Sequence, residues 1–228
     1  MSKLKTLLIL ILLISCNNSE KDNQLGKVNE ILKEKLEQRE KIKMQNINDF
    51  IPDGFEIVKS GNDLNKIISD LNKDGILDYV VLLASGRHSQ DYSNSKNVRL
   101  AVFEGQNNGS FKLKSQTGNL TSSFLLINPG KRIKIVNKNV ISLKHQSMRH
   151  DYELKFRYES KYENYMLIGS EYNNYGNAMQ NGAGNISSNF LAGKRISTID
   201  GKKTTNVDKE LIPISAIDDY SIYELISE

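Results

Sequence analysis

Asp70, Asn72, Asp74 and Asp78 fall within nine residues of one another in the stretch DLNKDGILDYVVLL, residues 70–83. Side-chain oxygens stand at positions 1, 3, 5 and 9 of that stretch, with Gly75 at position 6 and Ile76 at position 7. Such spacing suits a hard divalent cation. Calcium takes six to eight oxygen ligands, and a chain that wraps an ion supplies them from alternate side chains and one main-chain carbonyl. Gly75 permits the sharp turn. The expected ligands are Asp70, Asn72, Asp74, Ile76 through its carbonyl, and Asp78. They provide about five oxygens and leave the remainder to water or another segment. Magnesium, which demands near-octahedral geometry and keeps its waters, is the poorer match. A polar turn without an ion is the competing reading, since Asp and Asn are ordinary turn residues. Against it, three carboxylates so close in sequence repel one another unless a cation screens them.

Position 12 of the stretch is Val81, where a helix-loop-helix calcium site carries a bidentate Glu. The motif DxNxDGxxD followed by an apolar strand instead resembles the calcium loops of FG-GAP and VCBS-type repeats. That resemblance implies the same five residues as ion ligands. It does not imply a propeller, because the loop occurs once. A wider resemblance, to a group of uncharacterised secreted bacterial proteins, rests on I-P-x-G-F, the acidic loop, R-Y-E, Y-x-L-I-G and SSNFLAGK (187–194). It implies architecture and location but no activity.

Other residue types that carry chemistry are sparse. His88, His145 and His150 are the only histidines. The last two are five residues apart, not at the i, i+4 spacing of a helical zinc site, and all three read as surface or turn residues. There is no G-x-S-x-G elbow and no phosphate-binding glycine loop. Glu153, Glu159, Glu163 and Glu171 offer carboxylates for glycosidase chemistry, though alternation along strands generates such sets routinely. Two long polar segments, 86–96 and 172–188, read as loops that could form a site.

The elements expected to position these groups are strands. After Ile51-Pro52-Asp53-Gly54 the apolar pattern has period two. Candidate strands are 55–60, 79–84, 98–104, 110–114, 124–127, 132–136, 140–145, 152–158 and 162–169. Short turns such as Gln106–Gly109, Asn128–Gly130 and Asn137–Asn139 join them. Hairpins that short force antiparallel pairing. The expected fold is mainly β, an antiparallel meander of sandwich-like or partial-propeller sheets preceded by an amphipathic helix. Leu25, Val28, Ile31, Leu32 and Leu36 carry the helical period. That helix packs on the body or acts as a stalk, with a partner-binding coiled coil as the other reading.

The N-terminus, MSKLKTLLILILLISC, has a basic start and an apolar run too short to span a bilayer. Leu13-Ile14-Ser15-Cys16 resembles the bacterial lipoprotein lipobox, which implies cleavage before Cys16 and its acylation by diacylglycerol and a fatty acid such as palmitate. Cys16 is the only cysteine, so no internal disulfide forms. The expected organisation is signal peptide 1–15, polar tether 16–23, helix 24–48 and β-rich domain 49–228. The formal charge of +4 includes Lys3 and Lys5 of the signal segment. The basic run Lys131, Arg132 and Lys134 alternates along a strand, so nucleic acid is not an expected partner. The expected protein is a lipid-anchored lipoprotein of the bacterial cell envelope, at the outer membrane, with Ca2+ as cofactor. Its role is that of a binding or structural module with a protein or glycan ligand. A periplasmic or surface hydrolase of glycans or peptides, and an inhibitor or immunity lipoprotein, are the alternatives.

Overall fold

The computed structural model describes Glu30 and residues 44–226, apart from 61–62, 86–96, 121–131, 138, 178, 180, 200 and 209. The chain divides into two units, Met1–Lys43 and Met44–Glu228. Glu30, in helical backbone, is the described part of the first. Cys16, the tether, the strand expected at 124–127, the loop 86–96 and His88 lie outside the described residues. So does most of the helix expected over 24–48, of which Met44–Asn46 are not helical.

The second unit is mainly β and antiparallel. Its strands are β1 (Phe55–Ile57), β2 (Lys59–Ser60), β3 (Asp63–Leu64), β4 (Lys66–Ser69), β5 (Asp78–Ser85), β6 (Asn97–Gly105), β7 (Phe111–Gln116), β8 (Ile133–Val136), β9 (Val140–Gln146), β10 (His150–Glu159), β11 (Asn164–Asn174), β12 (Gly184–Asn189), β13 (Lys194–Ser197), β14 (Lys203–Asn206) and β15 (Ile212–Pro213). A short 310 helix spans Ile47–Phe50, a second spans Ile214–Ala216, and helix α1 spans Asp219–Ile226.

A five-stranded sheet has the order β1-β5-β6-β7, with β4 also pairing with β5. β1 and β4 lie end to end along one edge of β5. β1 pairs with Leu83–Ser85 and β4 with Asp78–Val81. An eight-stranded sheet runs β14-β13-β12-β11-β10-β9-β8, with β15 added against β11. From β8 to β14 each neighbour in space is the neighbour in sequence, as the short hairpin turns require.

The run YVVLLA in β5 is apolar at nearly every position because both its faces are covered. Val80, Leu82 and Ala84, with Val98, Leu100 and Val102 of β6, pack against Leu143, Leu154, Phe156 and Leu167 of the larger sheet. Val81, Leu83, Ala101, Phe103 and Phe111 face the other way, beneath Ile47 and Ile57 with Phe50 and Phe55 beside them. The rings of Phe50 and Tyr79 meet that of Phe111 edge to face, at 5.6 and 4.9 Å.

In the larger sheet, one face is core and the other is polar. Tyr152, Leu154 and Phe156 of β10 are buried, and Asp151, Glu153, Lys155 and Arg157 alternate with them. This single-sided burial keeps the alternation that marked the segment as a strand.

The segment 172–188, expected as one loop, is strand at both ends, with residues 175–183 between the strands. β11 runs on to Asn174, β12 begins at Gly184, and the two pair from Gly169↔Asn189 to Asn174↔Gly184. Ile186 and Ser188 face inward and are buried, while Asn185 bonds across the outer face. The Asn and Ser content that reads as loop is the polar side of a half-buried strand.

Candidate metal site

The acidic stretch is the hairpin connection between β4 and β5. Ser69 pairs with Asp78, and residues 70–77 form the turn between them. Leu71 points into the main core and is fully buried, which pins the start of the turn. Lys73 at φ 68° and Gly75 at φ 88° take the left-handed backbone that reverses the chain.

Side-chain oxygens then turn inward on the loop's own amides. The Asp74 N–H donates to Asn72 Oδ1 at 3.0 Å. The Ile76 N–H donates to Asp74 Oδ1 at 2.7 Å, and the Gly75 N–H donates to Asp70 Oδ2 at 3.2 Å. Asn72 Nδ2 donates to Asp74 Oδ2 at 3.0 Å. The other oxygen of Asp70, Oδ1, is enclosed and accepts no hydrogen bond.

Asp78 closes the loop from below. It is fully buried. Its Oδ2 accepts the Leu71 N–H at 2.9 Å and its Oδ1 accepts the Gly105 N–H at 3.1 Å. Burial pushes its carboxyl up to about 6, a rise the two amide bonds oppose and the charges of Asp74 and Glu104 add to. No lysine or arginine among the described residues forms an ion pair with Asp70, Asp74 or Asp78.

Asp70, Asn72 and Asp74 thus share one turn, and Asp78 lies at its base with both oxygens bound to backbone. Ile76 contributes its main chain to the same turn. Among the described residues, no three of His, Cys, Asp and Glu stand together as a metal cluster. Asp70, Asp74 and Asp78 are therefore not drawn onto one point in this arrangement, and Asp78 has both oxygens on backbone amides. The donor set fits calcium: hard oxygens only, in a single turn, with one enclosed carboxylate oxygen left unbonded.

The other residues singled out by type fall elsewhere. His145 is buried, not a surface or turn residue as expected. It occupies the inward register position of β9 opposite Tyr152, on which its ring stacks at 4.9 Å. Burial, with the Arg132 charge behind it, lowers its imidazole to about 4. His150 begins β10, its Nδ1 3.0 Å from Ser147 Oγ. Glu153 and Glu171 are directly opposed across β10 and β11. Glu159 lies next to the turn, bonded to Arg157 Nε at 2.7 Å, and Glu163 is a turn residue at φ 47°. Lys134 projects to the outer face within 3.9 Å of Glu153, as a solvated strand position does. No helix among the described residues is long and apolar enough to cross a membrane.

Fold and site together define an antiparallel β protein of two large sheets and a two-stranded β2–β3 ribbon, with an acidic hairpin loop at one sheet edge. No protein-family model, curated protein or solved structure matches the chain.

Proposed function

We propose that the chain is an envelope-anchored lipoprotein whose β-rich body is stabilised by calcium and serves as a binding or structural module. The anchor reading rests on Lys3, Lys5, the apolar run and Cys16 at its end. Two acyl chains or more give stable anchoring, since each buried methylene contributes about 0.8 kcal/mol. The calcium reading rests above all on Asp70 Oδ1, an enclosed carboxylate oxygen with no donor in a turn holding two further carboxylates. Burying an unpaired charged group is expensive, and such groups are paired or hold metals. Asp70, Asn72, Asp74, the Ile76 carbonyl and Asp78 would hold the ion, which would supply the missing positive charge and lock the β4–β5 corner.

An ion bound by the folded chain alone stabilises it by mass action, about 2.7 kcal/mol when calcium stands at a hundred times its Kd. Calorimetric titration of the metal-free protein, with melts in calcium and in chelator, tests this. One-site binding with a raised melting temperature is expected. A melt indifferent to both additions would leave the stretch a polar turn. Clickable palmitate tests the anchor, and its label should vanish in Cys16→Ala.

A further inference from the structure

The outer face of the eight-stranded sheet carries a cleft of about 390 Å3 at the end where the β9–β10 and β11–β12 connections lie. That volume is within the roughly 300–1,000 Å3 of small-molecule sites. Its lining is polar, and much of it comes from facing register positions on four consecutive strands, β9 to β12.

One hydrogen-bonded relay crosses three of those strands. Asn185 Nδ2 donates to Asn173 Oδ1 at 3.0 Å, and Asn173 Nδ2 donates to Asp151 Oδ1 at 2.6 Å. The Tyr175 hydroxyl donates to the other oxygen of Asp151. Further along, Glu171 takes Lys155 Nζ at 3.2 Å. Glu153 takes Lys144 Nζ at 3.6 Å and the Ser142 hydroxyl. Each carboxylate is therefore oriented by a donor and keeps lone pairs for a ligand. Apart from Tyr175, which follows β11, these side chains stand on strands, which hold a site more rigidly than loops do.

The charges nearly cancel. Arg132 and Lys144 line the cleft against Asp151, Glu153 and Glu171, with Lys155 beside Glu171 and Lys134 beside Glu153, which leaves one positive charge over. No single-sign field is left to select an anion or a cation. What the cleft offers is a dense set of fixed donors and acceptors, with the Tyr175 ring, 42% exposed, at its margin. An aromatic face beside planar amides and carboxylates matches a ring with apolar C–H faces and hydroxyls at its rim. We propose that this cleft binds a neutral saccharide, with Asn173, Asn185, Asp151 and Glu171 reading its hydroxyls and Tyr175 covering one face. The opposed pair Glu153 and Glu171 then serves recognition, each carboxylate already committed to a lysine. The inference deepens the binding-module reading and does not draw on the calcium loop, which belongs to the other sheet.

Saturation-transfer NMR on the full-length chain tests it. The probes are glucose, N-acetylglucosamine, maltose and cellobiose, with glucuronate and glucosamine as charged counterparts. Transfer to at least one neutral sugar is expected. Affinity should fall about tenfold in Asn185→Ala and in Tyr175→Ala, the loss of one good contact. Tyr175 is exposed, so its variant should keep the wild-type melting temperature and remain readable if Asn185→Ala misfolds. Transfer to the charged probes alone overturns the proposal. So does no transfer to any neutral sugar, or an affinity that neither substitution lowers. A calcium melt on the same sample reads the loop separately, so failure of the cleft cannot be mistaken for failure of the metal site.

Discussion

Gly105 donates its backbone N–H to Asp78 Oδ1 at 3.1 Å, and the Leu71 N–H occupies the other oxygen of the same carboxylate at 2.9 Å. One buried side chain therefore ties the start of the acidic loop, the start of β5 and the end of β6. Asp78→Asn leaves a single acceptor oxygen for two buried donors. An unsatisfied buried amide costs about 1–3 kcal/mol, so urea unfolding near pH 4, where burial of the Asp78 charge no longer counts against wild type, should show a loss of that order. Asp78→Ala strands both amides and should lose more. Equal stability of Asp78→Asn and wild type in metal-free buffer at that pH would remove the bridging role.

The same carboxylate sets a pH dependence that His145 opposes. Asp78 rises from 3.8 to about 6 on folding, so between those values the folded state binds more protons than the unfolded state. Its contribution to stability therefore grows as pH falls from 6 to 3.8. His145 drops from 6.5 to about 4, so there the unfolded state binds more protons, and its contribution shrinks as pH falls through that window. Each shift is worth about 3 kcal/mol at 1.36 kcal/mol per pH unit, and the two nearly cancel between pH 4 and 6. Removing one partner unmasks the other. In metal-free buffer, Asp78→Asn should lose stability relative to wild type progressively as pH falls from 7 to 4. His145→Gln should gain relative to wild type over the same range. Parallel stability curves for all three proteins would contradict both assignments.

Close approach at Gly105 gives a second, steric test of the corner. A Cβ there would stand 2.3 Å from the Leu77 carbonyl oxygen and 2.7 Å from Ile76 Cγ2. The first of these is backbone of the loop and cannot swing aside. Gly105→Ala should therefore destabilise by about 1–3 kcal/mol, the usual penalty of overpacking, and shift the denaturant midpoint without changing the slope. Gly54→Ala is the control, with positive φ but no atom within 4 Å of the added carbon. It should show backbone strain alone and the smaller loss.

The β5 strand was legible in sequence because two-sided burial leaves a continuous apolar run, and the acidic loop because its Asp, Asn and Gly pattern is local. The helix at Asp219–Ile226 was not anticipated, although its start carries a readable signal. Ser221 N–H donates to Asp218 Oδ1 at 2.8 Å, and Asp218 N–H donates to Ser221 Oγ at 2.7 Å, a reciprocal cap spaced three residues apart. β12 was hidden by its composition, since Asn185, Ser187 and Asn189 are strand residues facing outward. The outer-face cleft was out of reach for a different reason. Its members lie up to fifty-three residues apart, Arg132 to Asn185, and only the strand register brings Gln146 beside Asp151, and Asp151 beside Asn173. Period-two patterning says which face a residue takes, not which residue stands opposite.

Asp74 separates the calcium reading from the polar-turn reading most directly. It is exposed, and its carboxylate accepts the Ile76 N–H at 2.7 Å and the Asn72 amide at 3.0 Å. Without metal, Asp74→Ala should lose only about 1 kcal/mol, the net worth of an ordinary hydrogen bond. Part of that is offset, because the Asp74 charge opposes ionisation of Asp78. With calcium the outcome diverges. If Asp74 is a ligand, the variant should lose the calcium-induced rise in melting temperature that wild type shows, and the two proteins should separate by the full binding contribution. A variant that keeps the wild-type shift would take Asp74 out of the ligand set. If neither protein responds, the loop is held by its own amides, and the unbonded Asp70 Oδ1 has some other partner. Melts of both proteins in metal-free buffer and in calcium, run side by side, decide among these outcomes.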